Sequence, residues 1–507
     1  MEQLAVKEEV GGGIFFQYVN SLASFLAGFI FYIYIIHYYS SQLVGTVALF
    51  IAITTLLNVL FSLGLGTGLQ HFVSYQLGRS EFASVRGMIK KFIAIGLGLA
   101  FLSLIFLYFS APIFASLFFH SPTYIFLIRF LGIDLFFMVA NTFLSGVLLG
   151  LQKFKSQAVW NGVGVVVAYL FPLILLHYFD SAIFIIIGWA SGYALSTIAY
   201  SILILGGMQK VSEVGGRVGV SQVLKYSFPI FLSYLIGYGS SYVDRFIVSY
   251  LLNLSLLGTY NLALLLSTST SFLILPFATI LLPRLSEMHG AGRRDEIKDY
   301  ISKGMVLIST IYVPVSMLIA ALSPYILLFL SNKEYLHASV PVAIVLVFGS
   351  VFVTQNIMSV SLQSVRKTNI FLLTSSLTLL SNIIISILLI PRFQMIGAAL
   401  GYSSVSAVSF FVMYFYSRKF DILRFEKAKM AKIYFSAFVM FLITALLGRV
   451  YPYSPLKLLL FILVGFAMYS GMIKVMKTFS REDLDFIMLL IPWWLQRLRA
   501  VISALFL

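Results

Sequence analysis

Four ionisable residues interrupt otherwise apolar stretches of this sequence: Arg129 and Asp134 in one, Asp244 and Arg245 in another. A charge at the centre of a membrane helix costs about 2.5 to 3.5 kcal/mol on insertion scales unless it is paired or hydrated. Each of the four must therefore face protein or water. An arginine in a wet cavity suits a phosphate or pyrophosphate, whose oxygens its planar five-donor fork matches better than a lysine does. The aspartates suit the relay of a proton or a sodium ion. The competing reading is that the two positive and two negative charges neutralise one another as structural pairs. Arg129 and Asp134 are five residues apart, about 140° around a helix, so they point away from each other and need partners elsewhere.

Uncharged polar residues in the apolar stretches extend this set: Gln17 and Asn20, then Asn58 with Gln70 after it, and the run Ser267, Thr268, Ser269, Thr270, Ser271. They could line the same cavity as the charges, or bond helix to helix. The GLGTG stretch at 64–68 has no preceding strand and no Lys-Ser/Thr partner, so it reads as close helix packing or a hinge rather than a phosphate cradle. The histidines lack metal-ligand spacing, and no Ser, His and Asp set resembles a triad. No enzymatic chemistry, cofactor or metal is expected, beyond coupling to a H+ or Na+ gradient.

The elements that carry these residues follow from composition. Of 507 residues, 60% are hydrophobic and 10% charged, with a mean hydropathy of +0.99, too apolar for a water-facing surface. Nearly the whole length divides into stretches of about 20 apolar residues, and the alternating pattern of a β-barrel is absent. An all-α polytopic membrane protein is expected, with fourteen spans near 14–37, 43–69, 88–110, 123–150, 157–178, 181–206, 226–251, 256–282, 301–330, 338–363, 369–390, 394–417, 431–450 and 456–476. With no cysteine, disulfide frames and thiolate metal sites are excluded. The start, MEQLAVKEEVGGG, has no basic region ahead of a cleavable apolar stretch, so the first span is expected to be retained.

The excess of 34 Lys and Arg over 18 Asp and Glu lacks the motif or soluble basic face that nucleic acid would need. Instead, 28 of the 34 basic residues fall on one side of the alternating connections. By the positive-inside rule both termini are cytoplasmic, and localisation in the plasma membrane, among anionic lipids, follows. Beyond Lys477, the tract containing Trp493, Trp494, Arg497 and Arg499 reads as an interfacial helix.

The chain also repeats itself. LVGTVALF at 43–50 lies over LLGTYNLA at 256–263 when the sequence is slid by 213 residues, and IGWASGYALS at 187–196 over LGYSSVSAVS at 400–409. Six spans precede the break in each copy, so the copies have the same orientation, an arrangement used by transporters. The expected division is a six-helix bundle at 1–206, a cytoplasmic linker at 207–225, a second six-helix bundle at 226–420, two extra spans at 421–477 and an interfacial helix at 478–507.

Four segments carry a resemblance to a known family: FSLGLGTGLQHFVSYQLGR, SGVLLGLQKFK, YSFPIFLSYLIGYGSSYVDRFIVSYLLNLSLLGTYNLA and ILLPRLSEMHGAGRRDE. Across about 12–420 the sequence resembles the polysaccharide-biosynthesis flippases, in the superfamily of multidrug, oligosaccharidyl-lipid and polysaccharide exporters (MOP). The resemblance implies a V-shaped, MATE-like pair of bundles, alternating access, and a polyprenyl- or dolichyl-phosphate-linked oligosaccharide moved to the outer leaflet. It implies a cavity lined by spans 1, 2, 7 and 8, and places the triplet Asp244, Arg245, Phe246 where an Asp-Arg pair is common. Implied partners are the lipid-linked oligosaccharide, membrane lipids and glycan-assembly enzymes. A cation-coupled multidrug exporter on the same fold is the alternative.

Overall fold

The computed structural model describes residues 2–479, apart from 79–81, 180, 209–218, 275–280, 282–284, 286–287, 332, 366 and 368. Among these residues helix is the regular structure, joined by short turns and irregular stretches, with no strand. That is the expected consequence of an apolar solvent, in which every backbone N–H and C=O must be satisfied within the chain. The interfacial helix expected at 478–507 lies, from 480 onward, outside the described residues.

Contacts divide the chain into two compact units, Met1–Ser255 and Leu256–Leu507. The repeat assigns the segment around 226–251 to the second copy, whereas packing joins it to the first unit. Twelve of the described helices are long and apolar enough to cross a membrane. The two expected spans outside this set are 226–251 and 256–282. The first lies in a long helix that is too polar, and the second begins as a short helix of 16 residues, Leu254–Ser269.

In the first unit the elements are α1 (Glu2–Tyr38), α2 (Ser41–Ser62), α3 (Leu65–Gly78), α4 (Phe82–Phe114), α5 (Tyr124–Gly150), α6 (Phe154–Tyr178), α7 (Ile183–Met208) and α8 (Val220–Leu251). The Ser40 side chain caps α2 by accepting from the Leu43 amide, satisfying one donor that the first turn leaves open. The stretch 43–69, expected as one span, is broken between α2 and α3. Leu63 and Gly64 take the left-handed conformation there, with φ of 51° and 66°, which ends a helix.

Helix α1 packs on α6, α6 on α7, and α7 on α5, while α5 also meets α4, α3 and α2; α8 covers α2 and α3. GLGTG is a packing element in this arrangement. A Cβ on Gly146 would strike the carbonyl of Gly66, and one on Gly68 would strike Oγ of Ser227. Small residues thus bring α3 against α5 and α8.

In the second unit, residues 301–330 form two helices, Arg294–Ala321 and Ser323–Leu330. Pro324, in the first turn of the latter, has no N–H to continue the preceding helix. Residues 338–363 are likewise split, into Ser339–Val351 and Gln355–Ser364, at a turn with no glycine or proline. The helix Arg294–Ala321 buries Ile301, Met305 and Ile308 against Met440 and Ile473. Its first turns are tied to the chain after Met395–Lys419 by Lys298 Nζ, 2.6 Å from Asp421 Oδ2. That bond and the charge of Lys298 hold the Asp421 carboxyl below its usual range.

Candidate functional site

Within the first unit, five helices enclose a cavity of about 200 Å³. Each contributes residues at helical spacing: Ile51, Thr54 and Thr55 from α2, Asp134 and Met138 from α5, and Asn161, Val165 and Tyr169 from α6. Trp189, Tyr193 and Ser196 come from α7, and Tyr242 from α8. Spacings of three and four place residues on one helix face, so α2, α5, α6 and α7 each present one stripe to the void and α8 a single ring.

The wall between α6 and α7 depends on glycine. A Cβ on Gly164 would collide with Oγ of Ser196, and one on Gly192 with the carbonyl of Gly164. Phe31 of α1, fully buried, stands 5.4 Å from the Tyr169 ring and 6.4 Å from that of Trp189. It fixes two of the aromatic walls.

Asp134 is 2% exposed, and its Oδ1 accepts no hydrogen bond from a described residue. Trp189 is 5% exposed, and its Nε1–H has no acceptor among them. Three of the other polar groups spend a hydrogen on the protein. Thr54 donates to the Phe50 carbonyl at 3.0 Å, Ser196 to that of Trp160 at 3.0 Å, and Asn161 to Asn20 Oδ1 at 3.4 Å. These three offer the cavity chiefly oxygen lone pairs, while the hydroxyls of Thr55, Tyr169, Tyr193 and Tyr242 can both donate and accept. Together with an uncompensated carboxylate, that makes a site for positive charge.

Of the residues expected from sequence, Asp134 alone lines this cavity. Asn20 touches it indirectly through Asn161, and itself lines an apolar groove of about 360 Å³ between α1 and α6. Gln17 donates to Gln157 at 2.7 Å, and Gln157 in turn bonds Ser145 and Tyr200. Asn58 accepts from Thr142 at 3.3 Å, joining α2 to α5. Gln70 is half-buried on α3. Arg129 is exposed on α5 with its guanidinium 4.6 Å above the Tyr108 ring, away from Asp134.

Asp244 and Arg245 occupy a second location, on α8. Asp244 is fully buried within the stripe Val223, Ser227, Phe231, Ser240, Val248, the face against α2 and α3. Arg245 lies 3.6 Å from it, donates to the Ser241 carbonyl at 2.5 Å, and stacks 4.6 Å from the Tyr242 ring. The other face of α8 exposes Tyr234 and Tyr238, with Ser233 and Ser241 alongside, whereas Tyr226 stacks on the His71 ring of α3 at 4.4 Å. Tyr242 links the two sites, since it lies between Tyr238 and Arg245 on this face and also lines the cavity.

Sequence reasoning missed Asn161, Tyr169, Trp189, Tyr193 and Tyr242. The available signal was their spacing: Trp189, Tyr193 and Ser196 form one face, as do Asn161, Val165 and Tyr169. The repeat held a further sign. Sliding by 213 residues places Val347 over Asp134, so the carboxyl belongs to one copy alone.

A family model described as polysaccharide biosynthesis protein matches residues 10–289, and one described as MatE matches 229–388. An uncharacterized membrane protein of Methanocaldococcus jannaschii is 24% identical over 286 residues, 54% of this chain and 55% of that one. The chain thus spans about half the length of this curated relative. Among solved structures, the lipid II flippase MurJ in an inward closed conformation is similar with a TM-score of 0.72 at 19% identity, over 91% of this chain and 98% of that one. An inward-facing multidrug resistance MATE family transporter of the MOP superfamily has a TM-score of 0.63 at 15% identity, over 80% and 94%. These likenesses show the fold of a multi-pass membrane protein.

Proposed function

The chain belongs to the polysaccharide biosynthesis protein family, and from that premise we propose that it is a flippase for a lipid-linked oligosaccharide. It carries a polyprenyl- or dolichyl-phosphate or pyrophosphate glycan from the cytoplasmic to the outer leaflet of the plasma membrane by alternating access. The termini are cytoplasmic, the driving force is a H+ or Na+ gradient, and glycan-assembly enzymes supply and consume the substrate.

The observation that carries this reading is the exposed face of α8. From Tyr234 to Arg245 it spans about 17 Å at 1.5 Å per residue, roughly half the thickness of a hydrocarbon core. It shows tyrosine hydroxyls, serines and a guanidinium. Such a face is costly against lipid and belongs beside water. A glycan head crossing the membrane needs a wet track of this kind while its lipid tail stays in the bilayer. The tyrosine rings offer flat surfaces to sugars, and the fork of Arg245 suits the phosphate.

The second reading, a cation-coupled multidrug exporter, is favoured by the MatE match over 229–388. Liposomes containing a fluorescent polyprenyl-pyrophosphate glycan separate the two. Leaflet transfer by the wild type that collapses in Arg245→Ala, with folding intact, supports the flippase. Absence of wild-type transfer under any ion gradient, with export of cationic dyes instead, supports the exporter.

A further inference from the structure

The cavity around Asp134 lies off the exposed face of α8, and its chemistry differs from that of a phosphate site. We propose that it binds a small organic ammonium ligand that also carries an oxygen acceptor. Asp134 supplies the countercharge, the rings of Trp189, Tyr169, Tyr193 and Tyr242 supply the walls, and the Trp189 Nε1–H bonds the ligand's oxygen.

Charge is the first ground. Asp134 is almost wholly buried, and no described cation lies within ion-pair distance of it. The neighbouring Thr54, Ser196 and Asn161 have committed hydrogens to other protein groups. An anion placed there would meet the Asp134 carboxylate, whereas a cation would be compensated by it.

Size and wall chemistry then select among cations. At about 200 Å³ the cavity holds roughly seven times the ~30 Å³ share of one water in the liquid. A bare metal ion, which needs oxygens close on all sides, would leave most of that space unfilled. A polyatomic ammonium fills it, and desolvated aromatic faces attract such a cation through their quadrupoles. Phe31 holds two of the rings in place, so the cage is formed before the ligand arrives.

The second unfilled group sets the other half of the ligand. The indole N–H of Trp189 is a donor only and is buried without an acceptor. A ligand that pairs an ammonium with a hydroxyl or ether oxygen satisfies both groups at once. Tyr242, half-buried and shared with the α8 face, stands where such a ligand would enter. The site goes beyond the flippase reading and stands or falls apart from it.

The test is equilibrium dialysis of the purified full-length protein in detergent against labelled choline and labelled tetramethylammonium, with a parallel titration of Na+ against K+. One choline per chain is expected, bound more tightly than tetramethylammonium, which has no oxygen. Asp134→Asn, which keeps the shape, should weaken choline at least tenfold. Trp189→Phe keeps a ring but removes the N–H, and should erase the preference for choline over tetramethylammonium. Tyr242→Leu, on the rim, should weaken both several-fold, and serves as a second probe should Asp134→Asn fail to fold. No choline binding overturns the proposal, as does choline binding that Asp134→Asn leaves unchanged. Protection against thermal unfolding by Na+ alone, lost in Asp134→Asn, would also overturn it by making the cavity a metal site. Choline binding without glycolipid transfer in liposomes would sink the flippase reading and leave this site standing.

Discussion

Asp244 and Arg245 are adjacent in the chain and 3.6 Å apart, yet they belong to different surfaces of α8. Asp244 is fully buried, while the Arg245 side chain remains 13% exposed beside Tyr242. The pair is thus anchored in the packed face and presented on the polar one.

This geometry predicts unequal effects of substitution. Arg245→Ala leaves a buried carboxylate short of its countercharge and should cost on the order of 3 kcal/mol of stability. The double variant Asp244→Asn, Arg245→Gln should recover most of that loss, because both charges disappear together. Unfolding midpoints in detergent for the single and double variants measure the coupling. If transfer also returns in the double variant, the pair is structural; if transfer stays lost while stability returns, the pair serves the substrate.

Close backbone approach makes a second prediction. Gly146→Ala forces a methyl group into the carbonyl of Gly66, and backbone yields less readily than a side-chain tip. A loss of about 1 to 3 kcal/mol is expected, read as a lower unfolding temperature. Gly98→Ala, where a Cβ meets open space, is the control and should be neutral or slightly stabilising in its helix.

In the second unit, the bond of Lys298 to Asp421 makes stability depend on pH. The Asp421 carboxyl is held below its ordinary value in the folded chain. Its contribution is therefore full above the unfolded carboxylate pKa of about 3.9 and is lost as pH falls through the lower folded value. Asp421→Asn should flatten that acid limb in an unfolding series run from neutral pH downward. High salt should weaken the wild-type effect, since the pair is exposed to solvent.

Arg129 supplies a contrast with Asp134, its neighbour on the same helix. Its guanidinium lies over Tyr108 on the exposed side, an interaction worth about 0.5 to 1 kcal/mol. Arg129→Gln should lower stability by no more than that and leave choline binding unchanged. A tenfold loss of choline in Arg129→Gln would show that the residue reaches the cavity after all.

Much of this molecule is legible along the chain. Burial of apolar surface in lipid depends on local hydropathy, so the spans around α4, α6 and α7 lie near where apolar runs place them. Local stereochemistry explains some of the departures too. Gly64 breaks the stretch 43–69, and Pro324 breaks 301–330, each for a reason visible in its own residue type. The turn at 352–354, with neither residue, was not visible in this way. The cavity was harder still. Asp134 stood out because any buried charge does, but Trp189 and Tyr193 look like ordinary membrane aromatics until their helix is docked.

The sequence by itself determined a helical membrane protein, its internal repeat and its family, because hydropathy, charge alternation and self-similarity are properties of the chain order. Tertiary structure alone decided that Asp134 meets Trp189 and three tyrosines while Arg129 turns away to Tyr108. The physical reason is that a helix fixes the angles among its own side chains, whereas the face it turns inward is set by packing. Here Gly164 against Ser196 and Gly66 against Gly146 set the distance and rotation of each helix against its neighbours.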